Sequence, residues 1–168
     1  VDDLNALRWS SDDGARLELC VHPPHVFLDR VRARLDARVR VGAQHADAVA
    51  HTGATTAAML KAVGVDWVLL GHSDRRNALG EGDALIAAAA AECFAAGLSV
   101  NLTLGETAPQ RAAGDALPTL RRQLAAAAEA VPSDGGWARV VLAYEPVWAI
   151  GPGATPCEPA EAQRVCAA

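Results

Sequence analysis

Residues 65–97 read VDWVLLGHSDRRNALGEGDALIAAAAAECFAAG and run straight into LSVNLTLG at 98–105. This stretch decides the architecture. The run DWVLLG (66–71) is too short for a helix and apolar at successive positions, the pattern of a strand buried on both faces. Asp83–Ala96 reads as a helix, its alanines at 87–91 being helix-favouring composition. It closes at Gly97, where a left-handed cap commonly stops a helix. A second apolar run follows at once, so strand, helix and strand succeed one another as in a βα unit.

Outward from this stretch the alternation continues. LELCV (17–21), VRVGA (39–43) and ARVVLAYE (138–145) read as further strands. His25–Ala37, Thr52–Val63 (closing at Gly64) and Gln110–Val131 read as helices, with another beginning near Glu158. Thr52-Gly53 reads as a plain helix start. Strands begin roughly 20 to 40 residues apart, without linker or low-complexity break. One α/β domain over 1–168 with a parallel sheet is expected. A closed barrel and a doubly wound open sheet share this periodicity, which does not choose between them.

Composition narrows the function classes. The 168 residues are 51% hydrophobic and 21% charged, with no apolar run approaching a membrane span. A net charge of −5 argues against nucleic acid as a partner, because phosphate backbones need a basic face. It leaves room for a local cationic pocket holding a small phosphate. Cys20, Cys93, Cys157 and Cys166 form no CxxC pair, which points to reduced thiols and away from a zinc site or disulfide framework. VDDLNALRW at the start resembles neither a signal nor a transit peptide, although a chain that does not open on Met leaves a removed leader open.

In either architecture ligands gather at the carboxyl ends of the strands. After 66–71 come Gly71-His72-Ser73-Asp74-Arg75-Arg76. A histidine close to the start of a helical turn is disfavoured from carrying charge and would stay neutral and donate a hydrogen bond, although taken alone it reads first as a structural or exposed residue. Ser73 reads as an N-cap; Asp74, Arg75 and Arg76 also read as a solvated charge cluster. After the last strand come Glu145-Pro146-Val147-Trp148-Ala149-Ile150-Gly151-Pro152-Gly153. A carboxylate ending an apolar strand is desolvated or reaches a pocket, and both raise its basicity. The apolar loop between Pro146 and Gly151 reads either as a hinged lid that excludes water or as a segment packed on a neighbour. Asn101–Thr107 reads as a glycine turn and helix cap, and Asp12-Asp13 as a solvated loop.

At these segments the chain resembles the triosephosphate isomerase family. VHPPHVFLDRV, VGAQ with TGATTAAML, VDWVLLGHSDRRNALGEGDALI, GLSVNLTLGET and VVLAYEPVWAIGPG match family segments in the right order, from about residue 15 to 168. The resemblance implies a TIM (β/α)8-barrel and interconversion of dihydroxyacetone phosphate and D-glyceraldehyde 3-phosphate through an enediolate, in glycolysis and gluconeogenesis. Glu145 would move the proton and His72 would polarise the carbonyl as a neutral imidazole, the arrangement for which this family is well known. Gly151 would lie in the lid over the substrate phosphate, Ser73 beside the site, and Asp74 in the place of a family glutamate. No metal or cofactor is implied. The partners implied are a small phosphorylated sugar and a second copy of the chain in a homodimer, with neither nucleic acid nor membrane, in the cytoplasm or a plastid.

Several departures temper this. The family's first-strand Asn-x-Lys has no counterpart, Arg8-Trp9 being no substitute. The seventh and eighth strands with their phosphate loops are also missing, where a whole barrel takes about 250 residues. An incomplete barrel lacking the first strand and the last two βα units is expected. Its open edges should favour association, and its activity should be impaired. The loop between Gln44 and Thr52 is short and Ala54 replaces an acidic residue, so the dimer interface is expected to be weakened; separately, the distal lid hinge GPGATPCEPAEAQ lacks a lysine. Two other functions compete: isomerisation of a related sugar phosphate such as erythrulose phosphate, and a non-catalytic role through association with intact barrels.

Overall fold

The computed structural model describes residues 1–7 and 17–168. Arg8-Trp9 and Asp12-Asp13 lie outside the described residues. Five strands, β1 (Cys20–Val21), β2 (Arg40–Ala43), β3 (Trp67–Leu70), β4 (Ser99–Leu104) and β5 (Val140–Tyr144), form one sheet in the order β1-β2-β3-β4-β5. Each neighbouring pair is parallel. A doubly wound sheet reverses its strand order at a switch point. This sheet never does, so the ambiguity left by periodicity resolves to the barrel type. Right-handed crossovers in a sequential sheet also put every connecting helix on the same face.

The core therefore sits on one side. Val41, Ala43, Val68, Leu70, Val100, Leu102 and Leu104 are buried in one cluster with Leu60, Ile86, Ala90, Cys93 and Leu120 from the helices. Side chains alternate along a strand. The other face accordingly carries Gly42, Trp67, Leu69, Ser99, Asn101 and Thr103. The expectation of strands apolar on both faces holds for the helix side only, and the opposite face is mixed. β5 is an outer strand, and Val141 and Leu142 on its two faces remain 47% and 48% exposed.

The helices are α1 (Asp2–Asn5), α2 (Leu28–Arg34), α3 (Ala57–Ala62), α4 (Ser73–Ala78), α5 (Asp83–Ala95), α6 (Ala108–Ala112), α7 (Ala116–Ala128) and α8 (Pro159–Cys166). Three differ from the sequence expectation for identifiable reasons. α2 follows a 3-10 turn at His25–Phe27 and stops early, because the Arg32 guanidinium takes the carbonyls of Leu35, Asp36 and Val39. α3 starts at Ala57, five residues later than expected. The preceding loop folds back on Asp47, which accepts the Thr55 N–H through its side chain, while the Asp47 N–H bonds the Thr55 carbonyl. The stretch 110–131 is two helices, broken at Gly114, whose φ of +81° no helix tolerates.

Candidate active site

The site begins at a turn. β3 ends at Leu70, and Gly71 takes a φ of +75°. A Cβ at Gly71 would lie 2.7 Å from the Thr103 carbonyl oxygen, so the position needs glycine for space as well as conformation. Arg76 holds the turn from outside: Nε donates to the Gly71 carbonyl and Nη1 to Asp83, both at 2.7 Å. His72 then caps α4, and its Nδ1 accepts the Asp74 N–H at 3.2 Å. A nitrogen that accepts an N–H carries no proton, so in this tautomer the ring proton is on Nε2.

The carboxylate arrives from β5. The Glu145 N–H bonds the Leu104 carbonyl at 2.7 Å, which continues the β4–β5 ladder one step past the strand. A side chain at Gly105 would overlap the Glu145 carbonyl oxygen, so glycine there lets the two strand ends converge. Glu145 is 17% exposed at its side chain, and its Oε1 lies 3.2 Å from His72 Nε2. Ser73 holds both oxygens, donating from its N–H to Oε2 at 2.9 Å and from its hydroxyl to Oε1 at 2.8 Å. A proton donor on an imidazole and a desolvated carboxylate thus meet at one point, the pairing that general acid–base chemistry requires.

A second carboxylate stands behind the first. Glu106 is fully buried, and its Oε1 accepts the Tyr144 hydroxyl at 3.0 Å and the Trp148 indole N–H at 2.7 Å. Burial, and then the Glu106 carboxylate, push the Tyr144 phenol well above its ordinary range. Arg111 stacks 3.9 Å above the Trp148 ring and donates to Glu161 in α8 at 2.8 Å. Glu161 is held down to about 2, first by Arg164 and then by Arg111. The segment Val147–Ala149 is a 3-10 turn, so the apolar loop is anchored at Trp148 while Ile150 stays exposed.

Of the residues expected from sequence, Glu145, His72 and Ser73 come together. Asp74 sits next to them, but its carboxylate is 86% exposed and 3.7 Å from His72 Nδ1. Gly151 is exposed at φ +103°, its carbonyl accepting the Ala154 N–H within its own loop. Sequence reading assigned no site role to Glu106, Tyr144 or Arg111. The signal available for Glu106 was positional, since it follows β4 as Glu145 follows β5. Arg75 was read as part of a solvated cluster. It instead pairs with Glu81, its Nε donating at 3.0 Å, and lines a cavity of about 440 Å³ beside His72. The four cysteines are free thiols, Cys20 and Cys93 being pushed up to about 12 by burial. Among the described residues no helix is long and apolar enough to cross a membrane, and no three His, Cys, Asp or Glu side chains are placed to hold a metal ion.

Comparison with known proteins bears on this geometry. The family model for triosephosphate isomerase matches residues 2–168. The chain is 40% identical over 168 residues to the chloroplastic triosephosphate isomerase of Fragaria ananassa, covering 98% of this chain and 51% of that protein. With the chloroplastic enzyme of Arabidopsis thaliana it shares 39% over 168 residues, at 98% and 51% coverage. With that of Secale cereale it shares 39% over 171 residues, covering 100% of this chain and 55% of the relative. The chain thus spans about half the length of these relatives. The parallel sheet in sequential order and this match over nearly its whole length place the chain in the triosephosphate isomerase family.

Proposed function

We propose that residues 1–168 form one partial-barrel unit of a triosephosphate isomerase, interconverting dihydroxyacetone phosphate and D-glyceraldehyde 3-phosphate. The observation that carries this reading is the 3.2 Å approach of His72 Nε2 to Glu145 Oε1 at the carboxyl ends of β3 and β5. The Nε2–H would donate to the substrate carbonyl oxygen and stabilise the enediolate as charge develops there. One Glu145 oxygen would release its Ser73 contact to take the proton from the neighbouring carbon, then return it to the other carbon. Between these two steps the hydroxyl proton passes from one enediolate oxygen to the other, His72 Nε2 giving its proton to the former carbonyl oxygen and taking one back from the neighbouring hydroxyl, so the atoms balance without a co-reactant. Gly151 would belong to a lid covering the phosphate, and Asp74 would border the site.

A plastid location is favoured over the cytoplasm by the chloroplastic relatives. A second copy of the chain is the partner proposed on the family's pattern. The test is a coupled assay of glyceraldehyde 3-phosphate conversion with Glu145→Gln as the control. Turnover that falls about a hundred- to ten-thousand-fold in the control, the range for a general base, supports the reading. A folded chain without turnover would refute catalysis by residues 1–168 while the family assignment stands, and turnover indifferent to Glu145→Gln would refute the role of Glu145.

A further inference from the structure

One imidazole of the same pocket has no part in the proton shuttle. His22 follows β1 and lines the cavity of about 440 Å³ that also reaches Gln44, Leu69, His72 and Arg75. Its ring lies flat against the backbone of Gly42, where any Cβ would overlap the imidazole atoms. Glycine at 42 makes room for the ring; its backbone has no positive φ to account for it. Gln44 Nε2 donates to the His22 carbonyl at 3.0 Å and fastens this end of β1 to β2. His22 Nε2 is sealed from water and has no hydrogen-bond partner. A buried polar atom without a partner is costly, and an aliphatic side chain would fill the same space without that cost.

The neighbouring walls explain what such a ring is suited to. His72 and Arg75 bring N–H donors to the lining, shared with Glu145 and Glu81 respectively, and the carboxylate in the lining, Asp74, turns mostly to solvent. A small anionic molecule rich in oxygen fits these walls. We propose that His22 is a substrate-contacting residue of this pocket, hydrogen-bonding a hydroxyl of a small phosphate ester held beside His72. This rests on the isomerase reading of the pocket. A χ2 turn only exchanges Nε2 with Cε1, which also lies against Gly42, so Nε2 reaches the cavity through a change of χ1 rotamer, without moving the backbone. Burial lowers the imidazole below its ordinary 6.5. The ring is then neutral, with one donor and one acceptor, which matches a hydroxyl better than a phosphate oxygen.

The experiment follows the imidazole signals of the intact chain in a proton–nitrogen spectrum as glycerol 3-phosphate is added, with inorganic phosphate as the second probe. Glycerol 3-phosphate should shift both His22 and His72, and inorganic phosphate should leave His22 unmoved. His22→Phe keeps a ring on Gly42 and should weaken glycerol 3-phosphate binding about five-fold, the loss of one hydrogen bond. His22→Gln restores a donor and an acceptor and should bind within about two-fold of the parent. A shifted His72 with an unmoved His22, or equal affinity in His22→Phe, would overturn the proposal and make His22 a packing residue. Shifts at His22 without Glu145-dependent turnover would uphold the contact while the isomerase reading fails. Shifts at neither imidazole would overturn both.

Discussion

Replacing Trp148 by Phe tests whether Glu106 is the anchor of the apolar loop. The indole N–H reaches Glu106 Oε1 at 2.7 Å, and the Tyr144 hydroxyl reaches the same oxygen at 3.0 Å. Oε2 of Glu106 is buried without a partner, so these two donors and the Arg111 guanidinium, 3.8 Å from Oε1, support the whole carboxylate. A hydrogen bond to a charged group contributes about 1.5–3 kcal/mol. Phe keeps a ring beneath the Arg111 guanidinium, so the loss of stacking should stay below about 1 kcal/mol. Trp148→Phe should therefore cost about 2 kcal/mol. At about 2–4 °C per kcal/mol for a chain of this size, the midpoint should drop by about 4–8 °C.

The stronger test is the double variant. Either single change leaves one hydrogen-bond donor on the carboxylate, whereas Trp148→Phe with Tyr144→Phe leaves only the Arg111 guanidinium near it, at 3.8 Å. Breaking the last hydrogen bond of a buried charge costs more than breaking the first. The double variant should therefore exceed the sum of the singles by at least about 1 kcal/mol. Denaturant midpoints for the four proteins measure this. Costs additive within about 0.5 kcal/mol, or Trp148→Phe alone below about 0.5 kcal/mol, would refute the convergence on Glu106.

Two further outcomes follow from the same geometry. Burial lowers the imidazoles of both His22 and His25 below 6.5, and His25 is lowered further by His45 and Arg75 against its bond to the His45 backbone and the charge of Asp47. Their stabilising contribution is complete above 6.5 and is lost as pH falls from there to the lowered folded values. Denaturant midpoints should therefore drop between pH 7.5 and 5, and a flat profile would contradict this. Asp36 and Glu161, held to about 2 chiefly by Arg38 and Arg164, act in a separate window below about pH 4.5. Gly71→Ala combines a φ of +75° with a Cβ 2.7 Å from the Thr103 carbonyl, whereas Gly80→Ala has a φ of +72° in open space. The first should cost at least about 1 kcal/mol more than the second, which bears only the left-handed penalty of about 1–2 kcal/mol; equal midpoints would dismiss the steric reading.

Some of this was legible before any coordinates. Strand positions follow from short apolar runs, and residues just past a strand's carboxyl end are where ligand chemistry gathers, so His72 and Glu145 stand out. Strand order was not legible from periodicity, because barrels and open sheets space their βα units alike. The resemblance supplied it. Glu106 stayed hidden because Gly105-Glu106-Thr107 has the composition of an ordinary turn and helix cap. Its donors come from residues 38 and 42 positions later, a meeting that no local pattern records. The His22–Gly42 match is hidden for the same reason, since each residue alone is unremarkable and only their pairing across β1 and β2 is informative.

Strand geometry explains why five strands suffice to bring His72 and Glu145 together. Neighbouring strands lie about 4.8 Å apart, so β3 and β5 are separated by about 10 Å with β4 between them. Side chains from both must cross that gap above β4. Gly105, just past β4, has no side chain, and the Glu145 carbonyl oxygen passes where a Cβ would be. The turn at Gly71 then redirects the chain so that His72 and Ser73 head α4 over the same gap. The N–H and hydroxyl of Ser73 fix both oxygens of Glu145, leaving Oε1 facing His72 Nε2. A glycine after β3 and another after β4 thus matter as much to the site as His72 and Glu145 themselves, since they bring the strand ends within side-chain reach.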